Sequence, residues 1–235
     1  FVARDEGVFA GTALATETFV QIDKHAAVTW SVRDGEAIDA GTKLGEVAGP
    51  LRSILAGERV ALNYLCHCSG IASATRRFVR ATHGKARIRD TRKTLPGMRA
   101  VQKAAVRAGG GFNHRDSLSD AVLIKDNHLA AVGLTRAVER AKARWPGRVV
   151  EVECDSMEQV VEALAAGVDL ILLDNMTPDQ CAEVSKHVRE AAKLEVSGRI
   201  TVDSVAAYAD AGVDFISVGA ITHSVRTFDI GLDIL

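Results

Sequence analysis

From Ala86 onward the sequence repeats one unit: a short apolar strand, a polar strand end, then a helical stretch. The strands read as 86–89, 121–124, 148–152, 170–173, 193–196 and 214–218. Helices are expected between them, at 98–108, 135–143, 156–165, 178–191 and 202–211. Six consecutive strand–helix units constrain an α/β chain strongly. They imply a parallel sheet covered by helices and closed, or nearly closed, into a barrel. A doubly wound open sheet is the competing topology.

The first part of the chain follows another pattern. Residues 11–22 look helical, 28–32 alternate like a strand, Asp34-Gly35 signals a turn, and 42–47 could form the next strand. Pro50 then precedes a helix expected from Leu51 to about Thr82, with Leu55, Leu62 and Leu65 near one face and a break or kink at Gly70. The domain reading is therefore a small α/β domain with its connecting helices over 1–83, a barrel over 84–222, and a C-terminal segment over 223–235 that returns toward the small domain.

In a parallel barrel all strand ends open onto one face, where active sites sit. Here they offer, in order, Arg92 with Lys93, Lys125, Glu153, Asp174, Ser197-Gly198 and Gly219-Ala220. That is cations first, carboxylates next, and small backbone-exposing residues last. The chain as a whole is almost neutral, with 29 Lys+Arg against 30 Asp+Glu, so the cations gathered at Arg92, Lys93, His114, Arg115 and Lys125 are a local excess. Such an excess suits a small polyanion rather than a nucleic-acid surface. Arginine forks match planar carboxylates and phosphates, while lysine acts as a point charge.

Glu153 and Asp174 could order Mg²⁺ through water beside a diphosphate. The neighbouring Asp155 and Asn175 are read as helix caps. Ser197-Gly198 and Gly219-Ala220 fit a late-loop phosphate cradle. Gly109-Gly-Gly111 reads as a tightly turning or mobile loop that carries His114-Arg115 and could close over a ligand. Lys125 could serve as a Schiff-base amine, but its cationic company favours charge pairing. Arg59 and Asn63 share a helix face, which alone is a solvated surface pair.

The four cysteines do not have zinc-site spacing, and Cys66-His-Cys68 falls within a helical run, so they read as free thiols of a reducing cytoplasm. No apolar run reaches about 18 residues, which excludes a helical membrane span. Phe1 opens in mid-pattern, as if an N-terminal segment had been removed.

Several of these motifs together resemble the quinolinate phosphoribosyltransferase family. They are Glu58-Arg-Val-Ala-Leu-Asn63 with Ser69-Gly-Ile-Ala72, Arg89-Asp-Thr-Arg-Lys-Thr-Leu-Pro-Gly97, Gly109-Gly-Gly-Phe-Asn-His-Arg115, Ile124-Lys-Asp-Asn-His128, Glu151-Val-Glu153, Leu172-Leu-Asp-Asn175, Glu195-Val-Ser-Gly198 and Val218-Gly-Ala-Ile-Thr-His-Ser224. The resemblance implies a small α/β sandwich-like domain plus an incomplete parallel α/β barrel. It implies decarboxylating transfer of phosphoribose from phosphoribosyl pyrophosphate to quinolinate, giving nicotinate mononucleotide for NAD biosynthesis, with Mg²⁺ accompanying the donor. By motif match, Arg92, His114, Arg115 and Lys125 surround the quinolinate carboxylates, with Lys93 nearby. Glu153 and Asp174 face the ribose and metal. Ser197, Gly198, Gly219, Ala220 and His223 form the 5′-phosphate region. Arg59 enters the neighbouring subunit's site, so the implied assembly is a homodimer with shared sites or a higher oligomer built from it. The family carries further N-terminal residues, where this chain departs from it. The residues alone also admit a Schiff-base aldolase using Lys125, an enzyme for a related pyridine carboxylate, or a non-catalytic anion-binding module.

Overall fold

A computed structural model describes residues 1–234. Its first elements are β1 (Val2–Ala3), β2 (Gly7–Val8), α1 (Thr12–Ile22), β3 (Ala27–Trp30), β4 (Ala37–Ile38), β5 (Gly45–Ala48) and the long α2 (Leu51–Ala81). Then come β6 (Arg87–Arg89), α3 (Arg99–Ala108), β7 (Val122–Ile124), α4 (Asp126–Val132), α5 (Leu134–Arg144), β8 (Val150–Cys154) and α6 (Met157–Ala165). The chain ends with β9 (Leu170–Asp174), α7 (Pro178–Val188), β10 (Lys193–Ser197), α8 (Val205–Asp210), β11 (Phe215–Ser217), α9 (Ala220–His223) and β12 (Ile230–Gly231). Contacts divide the chain into two units. One holds Phe1–Arg77, Lys93–Phe112 and Gly219 onward; the other holds Phe78–Arg92 and Asn113–Val218.

In the first unit, three two-stranded antiparallel ladders, β1–β12, β2–β4 and β3–β5, surround an apolar cluster. Phe1, Phe9, Phe19, Leu44, Leu62, Leu65 and Phe228 are buried there. The Asp34 carboxylate accepts from the Gly11 and Thr12 amides at the start of α1 (3.0 and 3.2 Å), so the turn residue also caps the helix. Of the three leucines placed near one face of α2, Leu62 and Leu65 are buried and Leu55 is exposed. The expected break fails: the helix runs unbroken through Gly70, where a Cβ would stand 2.4 Å from the Arg226 carbonyl. The glycine admits a close backbone rather than ending a helix.

Gly109-Gly-Gly111 is likewise held down rather than free to close. A Cβ at Gly109 would meet the Ala72 carbonyl at 2.5 Å, and Arg76 Nε donates to the Gly109 carbonyl at 2.9 Å. No described helix is long and apolar enough to cross a membrane.

The second unit is a six-stranded sheet in the order β6-β11-β10-β9-β8-β7, parallel throughout. The first strand lies beside the last, as in a ring, and no β6–β7 pairing occurs among the described residues. This is an incomplete barrel. A doubly wound sheet would place its first strand centrally.

Strand alternation separates two faces. Ile88, Val150, Val152, Ile171, Leu173, Val196 and Ile216 share the apolar face and are buried. The residues between them are largely polar: Arg89, Glu151, Glu153, Asp174, Glu195, Ser197 and Ser217. Registry matches Ser197 with both Asp174 and Ser217, and Ser217 with Arg89. The barrel interior thus carries charged and hydroxylic side chains beside Leu123, Leu170, Leu172 and Phe215. Sequence reading missed α4, which has no buried residue and so no apolar stripe to detect.

Candidate active site

The interior polar residues of the second unit sort into a mouth, at the C-terminal strand ends, and a floor. At the mouth, Lys125 Nζ is paired with Glu153 Oε2. Lys125 directly follows β7, and Glu153 lies near the end of the neighbouring β8. This is a charge pair rather than a free amine nucleophile. Asp174, last in β9, accepts from Ser197 Oγ (2.8 Å) and from Asn175 Nδ2 (2.6 Å).

Asn175 and Asp155 therefore do not cap the following helices. Ser156 caps α6, and Thr177 caps α7 in a reciprocal box with Gln180. Asn175 instead has φ 56° and holds Asp174. Gly198 takes φ 109°, and a Cβ there would lie 2.3 Å from Asn175 Oδ1, so only glycine lets these two loops meet.

Arg92, Arg115 and Lys125 line one cavity of about 1270 Å³, together with the edge strand β7, Leu118 and Trp145. Burial, and then the charge of Arg92, hold Arg115 below the usual guanidinium range. Two like charges at one cavity favour an incoming polyanion.

His114 is placed differently from its expected contact with a ligand acid. Its Nε2 lies between Glu151 Oε2 (3.2 Å) and Glu195 Oε1 (3.3 Å) in the barrel floor. Its Nδ1 accepts the Arg115 amide at 2.7 Å. Glu195, fully buried, also receives Arg89 NH1 and Ser217 Oγ, both at 2.5 Å. The Arg89 guanidinium stacks 3.4 Å from the centre of the Phe215 ring. Asp90 accepts from the His114 amide (2.8 Å) and from Asn113 Nδ2 (2.5 Å), fixing the loop to the end of β6.

Burial alone would lower His114, but hydrogen bonds and charge from Glu151 and Glu195 push it up to about 9. Burial raises Glu151, whose Oε1 has no partner among the described residues. Burial opposes ionisation of Glu195 too, yet His114 and Arg89 keep it below the usual carboxylate range. In the neutral ring the Arg115 amide occupies Nδ1, so Nε2 is the nitrogen that bears hydrogen toward the two carboxylates. Sequence reading overlooked the roles of Arg89, Glu151 and Glu195. Period two could have found two of them: Glu151 precedes Glu153 by two residues, and Glu195 precedes Ser197 by two.

Among the described residues, His114, Glu151 and Glu195 form the one group with metal-ligand proximity. Arg89, Ser217 and the ring itself already serve these carboxylates, which makes the group an internal ion cluster. Glu153 and Asp174 each have a protein partner. Their hard oxygens suit Mg²⁺ reached through water rather than a closed cage.

The remaining expected residues lie in the first unit. A Cβ on Gly219 would stand 3.1 Å from His223 Nε2 and 3.4 Å from Lys93 Cδ, so Lys93, Gly219 and His223 form one close group, with Ala220 opening α9. Thr222 Oγ1 donates to the Lys93 carbonyl at 2.8 Å. Arg59 is exposed on α2 and lines a cavity of about 490 Å³ with Asn63, His67 and Asp229.

Two family models match the chain: quinolinate phosphoribosyl transferase, N-terminal domain, over residues 1–69, and quinolinate phosphoribosyl transferase, C-terminal domain, over residues 71–233. The nicotinate-nucleotide pyrophosphorylase (carboxylating) of Mycobacterium leprae (strain TN) is 46% identical over 241 residues, covering 99% of this chain and 84% of that protein. A probable nicotinate-nucleotide pyrophosphorylase (carboxylating) of Bacillus subtilis (strain 168) is 43% identical over 236 residues, covering 99% and 82%. The solved nicotinate-nucleotide pyrophosphorylase from Francisella tularensis has a TM-score of 0.95 at 41% identity, covering 97% of this chain and 82% of that one.

Proposed function

The chain belongs to the quinolinate phosphoribosyltransferase family, and we propose that it transfers phosphoribose from phosphoribosyl pyrophosphate to quinolinate with loss of CO₂, yielding nicotinate mononucleotide for NAD biosynthesis. The observation that carries this reading is the convergence of Arg92, Arg115 and Lys125 on one cavity along the edge strand β7. Quinolinate is a planar dianion, and arginine forks can grip and orient both carboxylates.

In the reaction the pyridine nitrogen bonds to the anomeric carbon as the bond to pyrophosphate breaks. Glu153 and Asp174 stabilise the positive charge that develops on the ribose. Ser197 and Asn175 hold Asp174 by hydrogen bonds, and the Lys125–Glu153 pair spans the two cationic and acidic halves of the mouth. Attachment leaves the ring nitrogen positive. The carboxylate on the adjacent carbon then departs as CO₂, its bonding electrons remain on that carbon, and a proton from water completes the product. Ser197 and Gly198 of one unit, and Gly219, Ala220 and His223 of the other, are our candidates for the 5′-phosphate, and Lys93 is a further substrate-binding candidate. Mg²⁺ brought with the donor would neutralise pyrophosphate, with Glu153 and Asp174 ordering it through water.

We further propose a homodimer in which Arg59 serves the partner's site, and a cytoplasmic setting that suits four free cysteines. The direct test is mass-spectrometric detection of nicotinate mononucleotide after incubating the purified chain with quinolinate, the phosphoribosyl donor and Mg²⁺. Tight quinolinate binding without product would leave only an anion-binding module.

A further inference from the structure

The barrel floor acts on the acid cavity without lining it. Arg115 lines that cavity, but His114, Glu151 and Glu195 do not. A continuous set of contacts nevertheless joins them. Arg89 and Ser217 hold Glu195, Glu195 and Glu151 hold His114 Nε2, and His114 Nδ1 holds the Arg115 amide. Both ring nitrogens are committed within the protein, so the imidazole is a strut between the interior and the backbone of residue 115. The loop end is pinned from the other side by Asp90. With the backbone held at these points, the Arg115 side chain departs from a fixed Cα, and its NH1 reaches the Ala121 carbonyl at 3.4 Å. Fixing a fork before its ligand arrives removes ordering cost from binding.

We propose that Glu195, acting through His114, is a positioning residue for the acid-binding fork of Arg115, although it never reaches the ligand. This rests on the assignment of quinolinate as the acid. It predicts a specific non-additivity. Lysine at 115 keeps a charge on a flexible stem but has no planar fork to aim.

The experiment is a double-mutant cycle on the full chain, read as the dissociation constant of quinolinate by calorimetry. His114→Ala should weaken quinolinate roughly 10-fold in the native background but less than about 2-fold in an Arg115→Lys background. Glu195→Gln should reproduce the His114→Ala loss, raise the KM for quinolinate with kcat and the donor KM within about 2-fold, and show the same dependence on Arg115. Glu195→Asp, which keeps the charge, should recover part of the loss.

Independent effects of His114 and Arg115 would overturn the proposal, because they would mean that His114 meets the ligand itself. A folded Glu195→Gln protein with native quinolinate affinity would also overturn it. If Glu195→Gln fails to fold, the His114 and Arg115 cycle decides alone. Absence of quinolinate binding by the native chain is a separate outcome, which removes the functional reading and not the strut.

Discussion

The mouth and the floor of the same barrel use the same kinds of side chain to opposite ends. The floor packs two carboxylates, an imidazole and a guanidinium into a largely buried cluster whose charges answer one another. The strand ends leave Lys125 partly exposed, and Arg92 and Arg115 line an open cavity along β7. Buried charge is tolerated when paired and hydrogen-bonded, and the floor meets this except at Glu151 Oε1 and Arg89 Nε, which have no hydrogen-bond partner among the described residues. An open cationic rim costs less in water and gains its partner when an anion arrives. Depth along one strand therefore separates the two groups: on β8, Glu151 belongs to the floor and Glu153 to the mouth.

The largest effect should come from removing the cations proposed to meet the substrates. Lys125→Ala and Arg59→Ala should each be nearly inactive alone. If Arg59 serves the partner's site, refolding the two variants together should return roughly a quarter of native activity, because about half the dimers are hybrids with one intact site in two. No recovery despite demonstrated hybrids would return Arg59 to its own subunit. Next, Arg115→Lys should raise the KM for quinolinate roughly 10- to 100-fold, with a smaller change for the donor. Equal changes for both substrates would move Arg115 out of the acid cavity. A smaller loss, on the order of 10-fold in kcat, is expected for Asp174→Asn, with little change in quinolinate binding. Activity should also require Mg²⁺, and full turnover in excess EDTA would remove the metal role from Glu153 and Asp174.

The floor should respond in stability instead. The His114 cluster takes up its proton at a pKa raised from 6.5 to about 9. A raised pKa gives stability that is complete below about 6.5 and is lost as pH rises through about 9. Unfolding free energy should therefore fall by about 3 kcal/mol across that window, and Glu195→Gln should flatten the fall. Denaturant melts at a series of pH values check this. An unchanged slope in Glu195→Gln would separate the decline from the floor.

The barrel was legible because each strand is a short apolar run followed by a polar end, and its helices carry apolar stripes. The mouth was legible for the same reason: Lys125, Glu153 and Asp174 stand where strands stop. The floor was not, because Glu151 and Glu195 sit inside strand patterns, where a single charge looks like an outward-facing residue. Only closure of the sheet turns that face inward. His114 could be read as a cation but not as a strut, since its partners come from strands 37 and 81 residues away in sequence. Gly70 and Gly109 misled the reading because a glycine needed for close approach looks the same in sequence as one that breaks a helix or frees a loop. The short α4 lacked any apolar periodicity to reveal it.

The most direct measurement of the central claim follows the carboxylate next to the ring nitrogen. Quinolinate labelled with ¹³C at that carboxylate is incubated with the native chain and Mg²⁺, with and without phosphoribosyl pyrophosphate. The account predicts labelled CO₂ released one for one with unlabelled nicotinate mononucleotide, and none without the donor. Labelled CO₂ formed without the donor, or a nucleotide that keeps the label, would contradict it.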